Sequence, residues 1–551
     1  MPLPSDRLFR LPPAAGSDAA AYADFQVTEQ LAGIFGHEGS LARSLPGFEP
    51  RPGQAAMARA VLSTLHHGGV LAAEAETGIG KTLAYLIPAA LSGQKIVVST
   101  GTLNLQDQIL RKEIPFLQEH IAPDLTALCV KGRQNYLCLY RWKQHLAGQL
   151  SLLGHSEEQE AIEAWLAETA TGDRAELAWL PDHSAWWQEI CASASRCLGT
   201  HCPEGAACFV NQLRKQAARA GLLIVNHHLF FSDLALRRFG YAEVLPRYES
   251  VIFDEAHQLE NIATRYFGVA LSHYQFLDLA RDCEQQADSG LAARDRDKTV
   301  QLTGALVSQA EQFANLFPRE RGRFPLEEFS AAHPRWAGEV EALDRSLQAL
   351  IEQLGSLAGA GEVWLGLQRR GQELHQKFRA VTQERDAAHI YWFERREKSL
   401  ALAASPLEIA SELEEVLYQE VRSTVLTSAT LTVGGDFGYL QRQLGLPEET
   451  ATLTLPSPFD YPGRSLFYVP EDDFPPPGHP GYPAAAGERL LDLLLASRGR
   501  ALVLFTSLRA MHQAHERLLG RLPYPILIQG EAPKAVLLER FQRQTQSGLL
   551  A

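Results

Sequence analysis

Short runs of β-branched and other apolar residues recur along the chain, and several are followed by stretches with helical spacing. They predict buried strands at residues 70–73, 95–99, 222–226, 251–253, 424–427 and 501–505. Helices are predicted at residues 25–35, 81–91 and 103–110. Because strands that alternate with helices form parallel sheets, the predicted fold class is α/β, with a second α/β unit that begins near residue 501.

Two stretches interrupt this alternation. Six of the seven cysteines and many aromatic residues fall within residues 129–208. Residues 270–390 are polar and helical in pattern, as in 343–354 and 373–384, with few β-branched runs. We therefore expect a cysteine-bearing insertion and a mostly helical insertion, and a proline-rich linker at residues 474–478.

Composition narrows the class of protein. The chain has 551 residues, of which 46% are hydrophobic and 21% charged, as in soluble proteins of several domains. A formal net charge of −14 argues against a polycationic nucleic-acid binder but allows a local basic groove. The amino-terminal residues carry no secretory signal pattern, which predicts a cytoplasmic location.

A glycine-rich segment, residues 75–82 (AETGIGKT), lies between a predicted strand and a predicted helix. This is the context of a phosphate-binding loop, in which Gly78 and Gly80 let backbone amides face phosphate oxygens. Lys81 would then contact the phosphates and Thr82 would ligate Mg²⁺. Ala75 replaces the first glycine of the strict pattern, and the alternative is a turn that only connects strand to helix.

The acidic pair Asp254-Glu255, followed by Ala256 and His257, comes directly after the apolar run 250–253. A parallel strand that ends in two acids delivers carboxylates to the edge of the sheet where α/β proteins bind ligands. Asp254 would hold Mg²⁺ and Glu255 would polarise the attacking water. Taken alone, such a pair is often a solvated loop, but the phosphate-loop pattern makes that alternative unlikely.

Together these segments resemble superfamily-2 helicase motifs, and the overall similarity is to the XPD/DinG-like DNA helicases from about residue 40 onward. The resemblance rests on residues 80–82, 254–257 and 428–430 (motifs I, II and III), on Phe48, Arg51, Pro52 and Gln54 ahead of motif I, on 99–102 with 106–108 (motif Ia), on 505–507 (motif IV) and on 456–460.

The resemblance implies an ATP-driven helicase that moves 5′ to 3′ on single-stranded DNA. It implies ATP contacts at Arg51, Gln54, Thr77, Gly78, Gly80, Lys81 and Thr82, Mg²⁺ at Asp254, and coupling of hydrolysis to DNA by His257 and residues 428–430. It also implies RecA-like domains with insertions, which we place at 1–44 (lead-in), 45–128, 216–270 and 391–440 (helicase domain 1), 129–215 (cysteine insertion), 271–390 (helical arch) and 441–551 (helicase domain 2, incomplete).

The cysteine spacing suits a metal centre. Cys197-x4-Cys202-x5-Cys208, together with Cys138, supplies four thiols but lacks the paired C-x2-C pattern of zinc ribbons. Spacing alone leaves iron–sulfur, zinc and buried apolar roles open. In the XPD/DinG-like helicases four such cysteines ligate a [4Fe–4S] cluster, so the resemblance implies that role for Cys138, Cys197, Cys202 and Cys208, and structural roles for Cys129, Cys191 and Cys283.

Basic and aromatic residues alternate within 131–143, which suits phosphates and unpaired bases but equally an amphipathic helix packed on the core. The resemblance favours DNA contacts at Arg133 and Tyr136, and at Thr100, Thr102 and Thr506. It implies single-stranded DNA and forked or overhanging duplexes as partners, replication or repair proteins as further partners, and association with the nucleoid. The adjacent His227 and His228 are predicted to have loop or core roles rather than to bind a metal.

Two family motifs of the second RecA-like domain, one like S-F-W-E-G-V-D and an arginine finger, are not found in this sequence. We therefore expect the polypeptide as written to bind nucleotide and DNA but to hydrolyse ATP poorly, and we expect no intrinsic exonuclease. Besides a helicase, two hypotheses stay open: a non-catalytic ATP- and DNA-binding module, and an iron–sulfur redox sensor with a vestigial phosphate loop.

Overall fold

The computed structural model describes residues 29–149, 157–177, 179–180, 184–193, 196–238, 244–288, 291–470, 474–532, 534–544 and 546–551. The chain divides into two compact units, Met1–Phe459 and Asp460–Ala551. In the described part, every helix is too short or too polar to cross a membrane.

The strands and helices alternate over much of the chain, as predicted. The strands are β1 Gly69–Ala75, β2 Ile96–Thr100, β3 Ala127–Cys129, β4 Leu222–Asn226, β5 Ser250–Asp254, β6 Val269–Ser272, β7 Gly322–Pro325, β8 His389–Arg395, β9 Leu400–Pro406, β10 Ser423–Ser428, β11 Ala451–Leu455, β12 Ala501–Val503, β13 Ile526–Ile528 and β14 Gly548–Leu550.

The α-helices are α1 Ser40–Ser44, α2 Pro52–His67, α3 Lys81–Leu91, α4 Leu103–Gln108, α5 Ile114–His120, α6 Leu139–Gln149, α7 Glu157–Glu168, α8 Ala185–Ile190, α9 Phe209–Arg219, α10 His227–Arg238, α11 Leu259–Phe267, α12 His273–Ala287, α13 Ala293–Ala314, α14 Leu326–Ala332, α15 Trp336–Leu357, α16 Glu362–Thr382, α17 Ala410–Leu413, α18 Gly438–Leu444, α19 Tyr461–Arg464, α20 Tyr482–Ser497, α21 Leu508–Leu518 and α22 Lys534–Arg543. Short π-helical segments follow α4 at Ile109–Glu113 and α17 at Glu414–Tyr418.

A seven-stranded sheet in the order β11-β1-β10-β5-β2-β4-β3 forms the centre of the first unit. All its pairings are parallel. Both faces carry apolar side chains, because helices cover each side: Leu71, Ile224 and Val425 point into one core, and Ala72, Val225 and Leu426 into the other. This confirms the predicted α/β class with a parallel sheet.

Residues 29–44 pack on this domain, although a lead-in was predicted for 1–44. A helix covers residues 29–35, and Leu31, Phe35 and Leu41 are buried in the core beside the sheet. The part of the predicted helix before residue 29 lies outside the described residues.

The cysteine insertion lies between β3 and β4 and has its own small core. Leu137, Trp142, Ile162, Trp187 and Ile190 are buried together in it. Isolated bridges join Tyr136 to Asp173 and Leu137 to Cys191. The aromatic residues of this region therefore serve mainly to hold the insertion together.

The helical insertion contains α12 to α16, which share a core with a four-stranded antiparallel sheet in the order β6-β9-β8-β7. This sheet was not predicted from the sequence. β8 and β9 pair over their whole length, so the boundary predicted between residues 390 and 391 divides a strand, and residues 391–406 belong with the insertion.

The second unit holds a three-stranded parallel sheet in the order β12-β14-β13, with α19 to α22. The domain boundary predicted at residue 441 differs from the structure. β11 pairs with β1 in parallel as an edge strand of the large sheet, and the first unit extends to Phe459.

Candidate functional site

Three of the predicted motifs lie at the carboxyl ends of adjacent strands. β1 leads to the glycine-rich segment, β10 ends at Ser428 and β5 ends at Asp254. β10 lies between the other two, with Glu74 opposite Ser428 and Thr427 opposite Asp254 in the register. Parallel strands deliver the residues that follow them to one edge of the sheet, so segments more than 300 residues apart in the sequence meet there.

The glycine-rich segment has the backbone conformation expected of a phosphate-binding loop. Gly78 has φ +93° and Gly80 φ +84°, values that L side chains rarely adopt. A Cβ on Gly78 would collide with the ring of Phe459, and one on Gly80 with the amide of Gln54. α3 begins at Lys81, whose Nζ donates to Ala75 O at 3.2 Å. The loop therefore presents a helix N-terminus and a lysine at the same point, which suits an anion.

Gln54, on α2, and Arg51, the residue directly before α2, both bind the loop. Arg51 donates to Gly78 O, and Gln54 Nε2 donates to Gly80 O at 3.0 Å. The structure places both residues against the loop, and their predicted contacts with a nucleotide stay a prediction. Their contacts here are to the loop backbone.

The acidic pair follows β5 with an unusual backbone. Asp254 is 5% exposed, and its Oδ1 accepts from the amide of Glu255 at 3.0 Å. Glu255 has φ +59°, a left-handed conformation that costs energy in a residue other than glycine. The turn separates the two carboxylates. Asp254 is buried at the edge of the sheet, whereas Glu255 is half-buried and points away from Asp254.

Tyr85 connects the acidic pair to the glycine-rich loop, and the sequence analysis missed it. This fully buried tyrosine on α3 donates its hydroxyl to Asp254 Oδ2 at 2.9 Å, and its hydroxyl also interacts with the Thr82 side chain. Burial raises the pKa of Asp254 to about 6, while the Tyr85 hydrogen bond and the Lys81 charge act in the opposite direction and Glu255 adds to the rise. A divalent cation would stabilise the ionised carboxylate at this position.

His257, Ser428 and Glu255 form a second small network. His257 Nδ1 lies 2.8 Å from Ser428 Oγ and 3.4 Å from Glu255 Oε2, and Ser428 Oγ lies 3.3 Å from the same carboxylate oxygen. The histidine is the most exposed of the three. The network connects the end of β10 directly to Glu255.

Glu74 ties the segment after β10 to the strand that leads into the loop. Its carboxylate accepts from the amides of Leu431 and Thr432, both at 2.6 Å, and from Thr432 Oγ1 at 2.9 Å. Partial burial raises the pKa of Glu74, but these three hydrogen bonds outweigh it and lower the pKa overall. Glu74 was not among the candidate residues, because nothing near it in the sequence shows that residue 431 would be its neighbour.

The segment after β11 covers the loop. Ser457 Oγ donates to Thr77 O at 2.7 Å, and the amide of Ser457 donates to a Glu76 carboxylate oxygen at 3.1 Å. The Phe459 ring contacts the loop at Gly78, and the Arg51 guanidinium lies 5.8 Å from its centroid. Residues 456–460 carried the family resemblance, but sequence alone gave them no place at the loop.

The four candidate ligands are free thiols at the ends of helices and turns. Cys138 precedes α6, Cys202 ends a turn at Gly199–His201, and Cys208 precedes α9. Burial raises the pKa of Cys138, and the nearby charge of Cys208 adds to the rise. No three histidine, cysteine or acidic side chains among the described residues converge closely enough to hold a metal ion. The thiol chemistry nevertheless suits iron, and the half-buried Arg214 beside Cys197 and Cys208 would balance anionic thiolates.

The predicted DNA contacts divide into two groups. Tyr136 is 3% exposed and accepts a hydrogen bond from the amide of Lys131, and Thr100 is fully buried with its hydroxyl donated to Thr102 O. Both expectations are corrected, because a buried ring cannot stack on a base and a buried hydroxyl cannot reach a phosphate. Arg133 is half-exposed, and Thr102 and Thr506 are exposed.

His227 has the predicted core role, although it begins α10 rather than lying in a strand. It is fully buried, and its Nδ1 lies 2.7 Å from Ser99 Oγ. Burial is the main reason that the pKa of His227 is lowered to about 3, so the ring stays neutral.

Known proteins similar to this chain include several helicases. The sequence model of the DEAD/DEAH box helicase family matches residues 51–142. The ATP-dependent DNA helicase YoaA of Haemophilus influenzae is 34% identical over 529 residues, which is 95% of this chain and 81% of that protein. YoaA of Escherichia coli is 33% identical, with 92% and 79% covered. The ATP-dependent helicase DinG of Mycobacterium tuberculosis is 29% identical, with 93% and 79% covered. An XPD helicase structure overlaps 91% of this chain and 80% of that one, at 16% identity and a TM-score of 0.46.

Proposed function

The chain belongs to the XPD/DinG-like family of superfamily-2 helicases, and from that premise we propose how its residues perform ATP-dependent work on DNA. It is an ATP-dependent DNA helicase, an enzyme that hydrolyses ATP. We further propose that it moves 5′ to 3′ on single-stranded DNA and acts on forked or overhanging duplexes, in replication or repair at the nucleoid.

One observation carries the assignment of the nucleotide site. Tyr85 joins Asp254 to Thr82, so the two motifs that would share a magnesium ion meet at one buried hydroxyl. Two unrelated turns would have no reason to be connected in this way. The alternatives of a connecting turn and of a solvated acidic loop both leave this contact unexplained.

Each residue then has a defined task. The amides of the loop and Lys81 bind the phosphates, which requires Lys81 to exchange its hydrogen bond with Ala75 O for a phosphate oxygen. Thr82 and Asp254 would hold Mg²⁺, which supplies charge neutralisation on the phosphates. Glu255 orients and deprotonates the attacking water. His257 and Ser428 contact Glu255. Through them a change at Glu255 would be transmitted to the segment after β10, which Glu74 binds at Leu431.

We propose that Cys138, Cys197, Cys202 and Cys208 hold a [4Fe–4S] cluster. Four reduced thiols in one insertion and the positive charge of Arg214 support this. Arg133 and Arg214 both line a small hollow in the first unit, and Arg133 is our candidate for a phosphate contact there. Thr102 and Thr506, which are exposed, are separate candidates for DNA contacts.

The direct test of this function compares two fluorescent duplexes, one with a 5′ single-stranded overhang and one with a 3′ overhang. With ATP and Mg²⁺, strand separation by the purified protein should be confined to the first duplex. Single-stranded DNA should raise its phosphate release from the low rate expected of a sequence in which the arginine-finger motif is not found. Separation of the 3′-tailed duplex alone would contradict the proposed polarity. Nucleotide and DNA binding with no phosphate release would favour a non-catalytic module.

The pH dependence of magnesium-nucleotide binding gives a first prediction. Because the pKa of Asp254 is about 6, the carboxyl carries a proton below that pH, and the proton must leave before Mg²⁺ binds. Binding should therefore be independent of pH above about 7 and weaken about tenfold for each pH unit below 6. Calorimetric titrations of Mg·ATP between pH 5 and 8 measure this, with Asp254→Asn as the control whose affinity should show no such dependence. Equal affinity of the wild-type protein at pH 5 and pH 7 would contradict it.

Glu74→Gln should loosen the segment after β10. Its amide group would face backbone donors with one acceptor fewer, which costs about 1–3 kcal/mol of unfolding free energy. Since the pKa of Glu74 is lowered, its contribution is present above pH 4.5 and is lost as the pH falls below that value. Denaturation by urea at pH 7 and pH 4 should show the difference from wild type shrinking at the lower pH. The same change at the exposed Glu408 should have no effect, and an equal effect there would rule out the proposed contact.

A further inference from the structure

Asp282, a buried carboxylate on the helical insertion, binds Arg196, the residue directly before the candidate cluster ligand Cys197. Arg196 donates from Nε and from a terminal nitrogen to the two oxygens of Asp282, at 3.1 and 2.9 Å. Asp282 lies on α12, and Arg370 of α16 donates to the same carboxylate. The Asp282 side chain is only 12% exposed, and those of Arg196 and Arg370 are 33% and 17% exposed.

A second tether repeats the arrangement. His201, directly before Cys202, lies 3.5 Å from Glu362, the first residue of α16. These two side chains are 62% and 41% exposed, so this contact is weaker than the first. The two basic residues thus precede two successive thiols, and both meet carboxylates of the helical insertion.

Another arginine, Arg141, lies on the first turn of α6, three residues after Cys138. Arg141 itself donates to the carbonyls of Cys191 and Gln188, so it is fixed in place. Asp282 is the negative charge that Arg196 and Arg370 share, and Arg196 directly precedes Cys197 in the chain.

We propose that Asp282 is a positioning residue for the iron–sulfur cluster: through Arg196 it fixes the turn that carries Cys197, so that the helical insertion forms one wall of the cluster site. This inference depends on the cluster assignment made above. The Arg196 guanidinium donates to both oxygens of the Asp282 carboxylate and therefore has little conformational freedom. Cys197 follows Arg196 directly in the chain. Residues that orient metal ligands in this way contribute to retention of the metal as well as to its placement.

The coupling acts in both directions. If the helical insertion stabilises the turn at residues 196–202, cluster binding must stabilise the docking of α12 and α16 by the same free energy. Loss of the cluster should therefore increase amide hydrogen exchange in α12 and α16, far from the thiols in the sequence, and leave the glycine-rich loop unchanged.

The test compares Asp282→Asn with Asp344→Asn in the full chain. Asp344 makes a similarly buried ion pair with His375, at 2.8 Å, inside the helical insertion. Iron and sulfide per chain are measured after anaerobic purification, and the visible absorbance of the cluster is then followed after addition of a chelator in air. Asp282→Asn should lose its cluster at least about tenfold faster than wild type, Asp282→Glu should be intermediate, and Asp344→Asn should match wild type.

Arg196→Gln provides a second variant at a more exposed position, and it decides the question if Asp282→Asn fails to fold. Equal cluster lifetimes in Asp344→Asn and the variants of the Asp282–Arg196 pair would overturn the positioning role while leaving the cluster itself in place. A wild-type protein that contains no iron and sulfide would instead reject the cluster assignment, and this inference with it.

Discussion

Replacing Glu255 with glutamine should abolish most ATP hydrolysis while leaving ATP binding almost unchanged. The amide keeps the shape of the side chain, and it still accepts a hydrogen bond from Ser428, but it cannot take a proton from water. General-base catalysis contributes about 10²–10⁴-fold to such reactions, so we expect the rate of phosphate release to fall by that factor. Single-turnover hydrolysis with enzyme in excess measures the chemical step directly.

The control for this change is Glu260→Gln on α11. Glu260 is also an acid close to the motif, but it contacts the hydroxyl of Tyr439 at 3.2 Å rather than Ser428. Its replacement should leave hydrolysis within about twofold of wild type, as surface substitutions usually do. A Glu255→Gln protein that hydrolyses ATP at the wild-type rate would show that another group activates the water.

Replacing Lys81 with alanine should have the largest effect on binding. The ammonium group is the positive side chain that the loop offers to the phosphates, and in this structure it donates to Ala75 O. Removal of one partner from a close charged contact costs about 2–5 kcal/mol, which weakens binding about 30- to 5,000-fold. Titration of a fluorescent ATP analogue into wild-type and variant protein measures the change.

Lys112→Ala, at an exposed position, is the matched control and should bind nucleotide like the wild type. The fold of the Lys81→Ala protein can be checked by its thermal unfolding, because the lysine makes only one hydrogen bond to the backbone in this structure. Unchanged nucleotide affinity in a folded Lys81→Ala protein would remove the glycine-rich loop from the nucleotide site.

The sequence was sufficient for the parts of the site whose chemistry is local. Residues 75–82 combine the glycines, the lysine and the helix start in eight positions, and the acids follow directly after their strand, so pattern and chemistry coincide. The strand order β1-β10-β5 then brings these local segments together. The parallel sheet and the helix at residues 81–91 follow from the same patterns and are confirmed.

The contacts between segments could not be predicted in this way. Tyr85 reads as one more apolar residue of α3, and only the register of β5 places Asp254 beside its hydroxyl. Glu74 looks like a polar residue at the end of a strand, yet its partners are more than 350 residues away in the sequence. Such pairs depend on tertiary geometry, which a single sequence does not contain.

Two sets of predictions were wrong for different reasons. The family resemblance favoured DNA contacts at Tyr136 and Thr100, but aromatic and hydroxyl side chains also fill cores and satisfy buried backbone groups, and both residues are buried here. The antiparallel sheet of the helical insertion was missed because residues 270–390 were assigned as a block to helices, although β8 and β9 have seven residues each.

The most direct test of the account is whether the glycine-rich loop and the acidic pair share one magnesium ion. ATP affinity is measured by calorimetry with and without Mg²⁺ at pH 7.5 for wild type, Thr82→Ala, Asp254→Asn and the double variant. We predict that Mg²⁺ tightens ATP binding in wild type, that either single change removes most of this gain, and that the double change removes no more than the singles. Additive losses, or a magnesium effect that survives in Asp254→Asn, would contradict it.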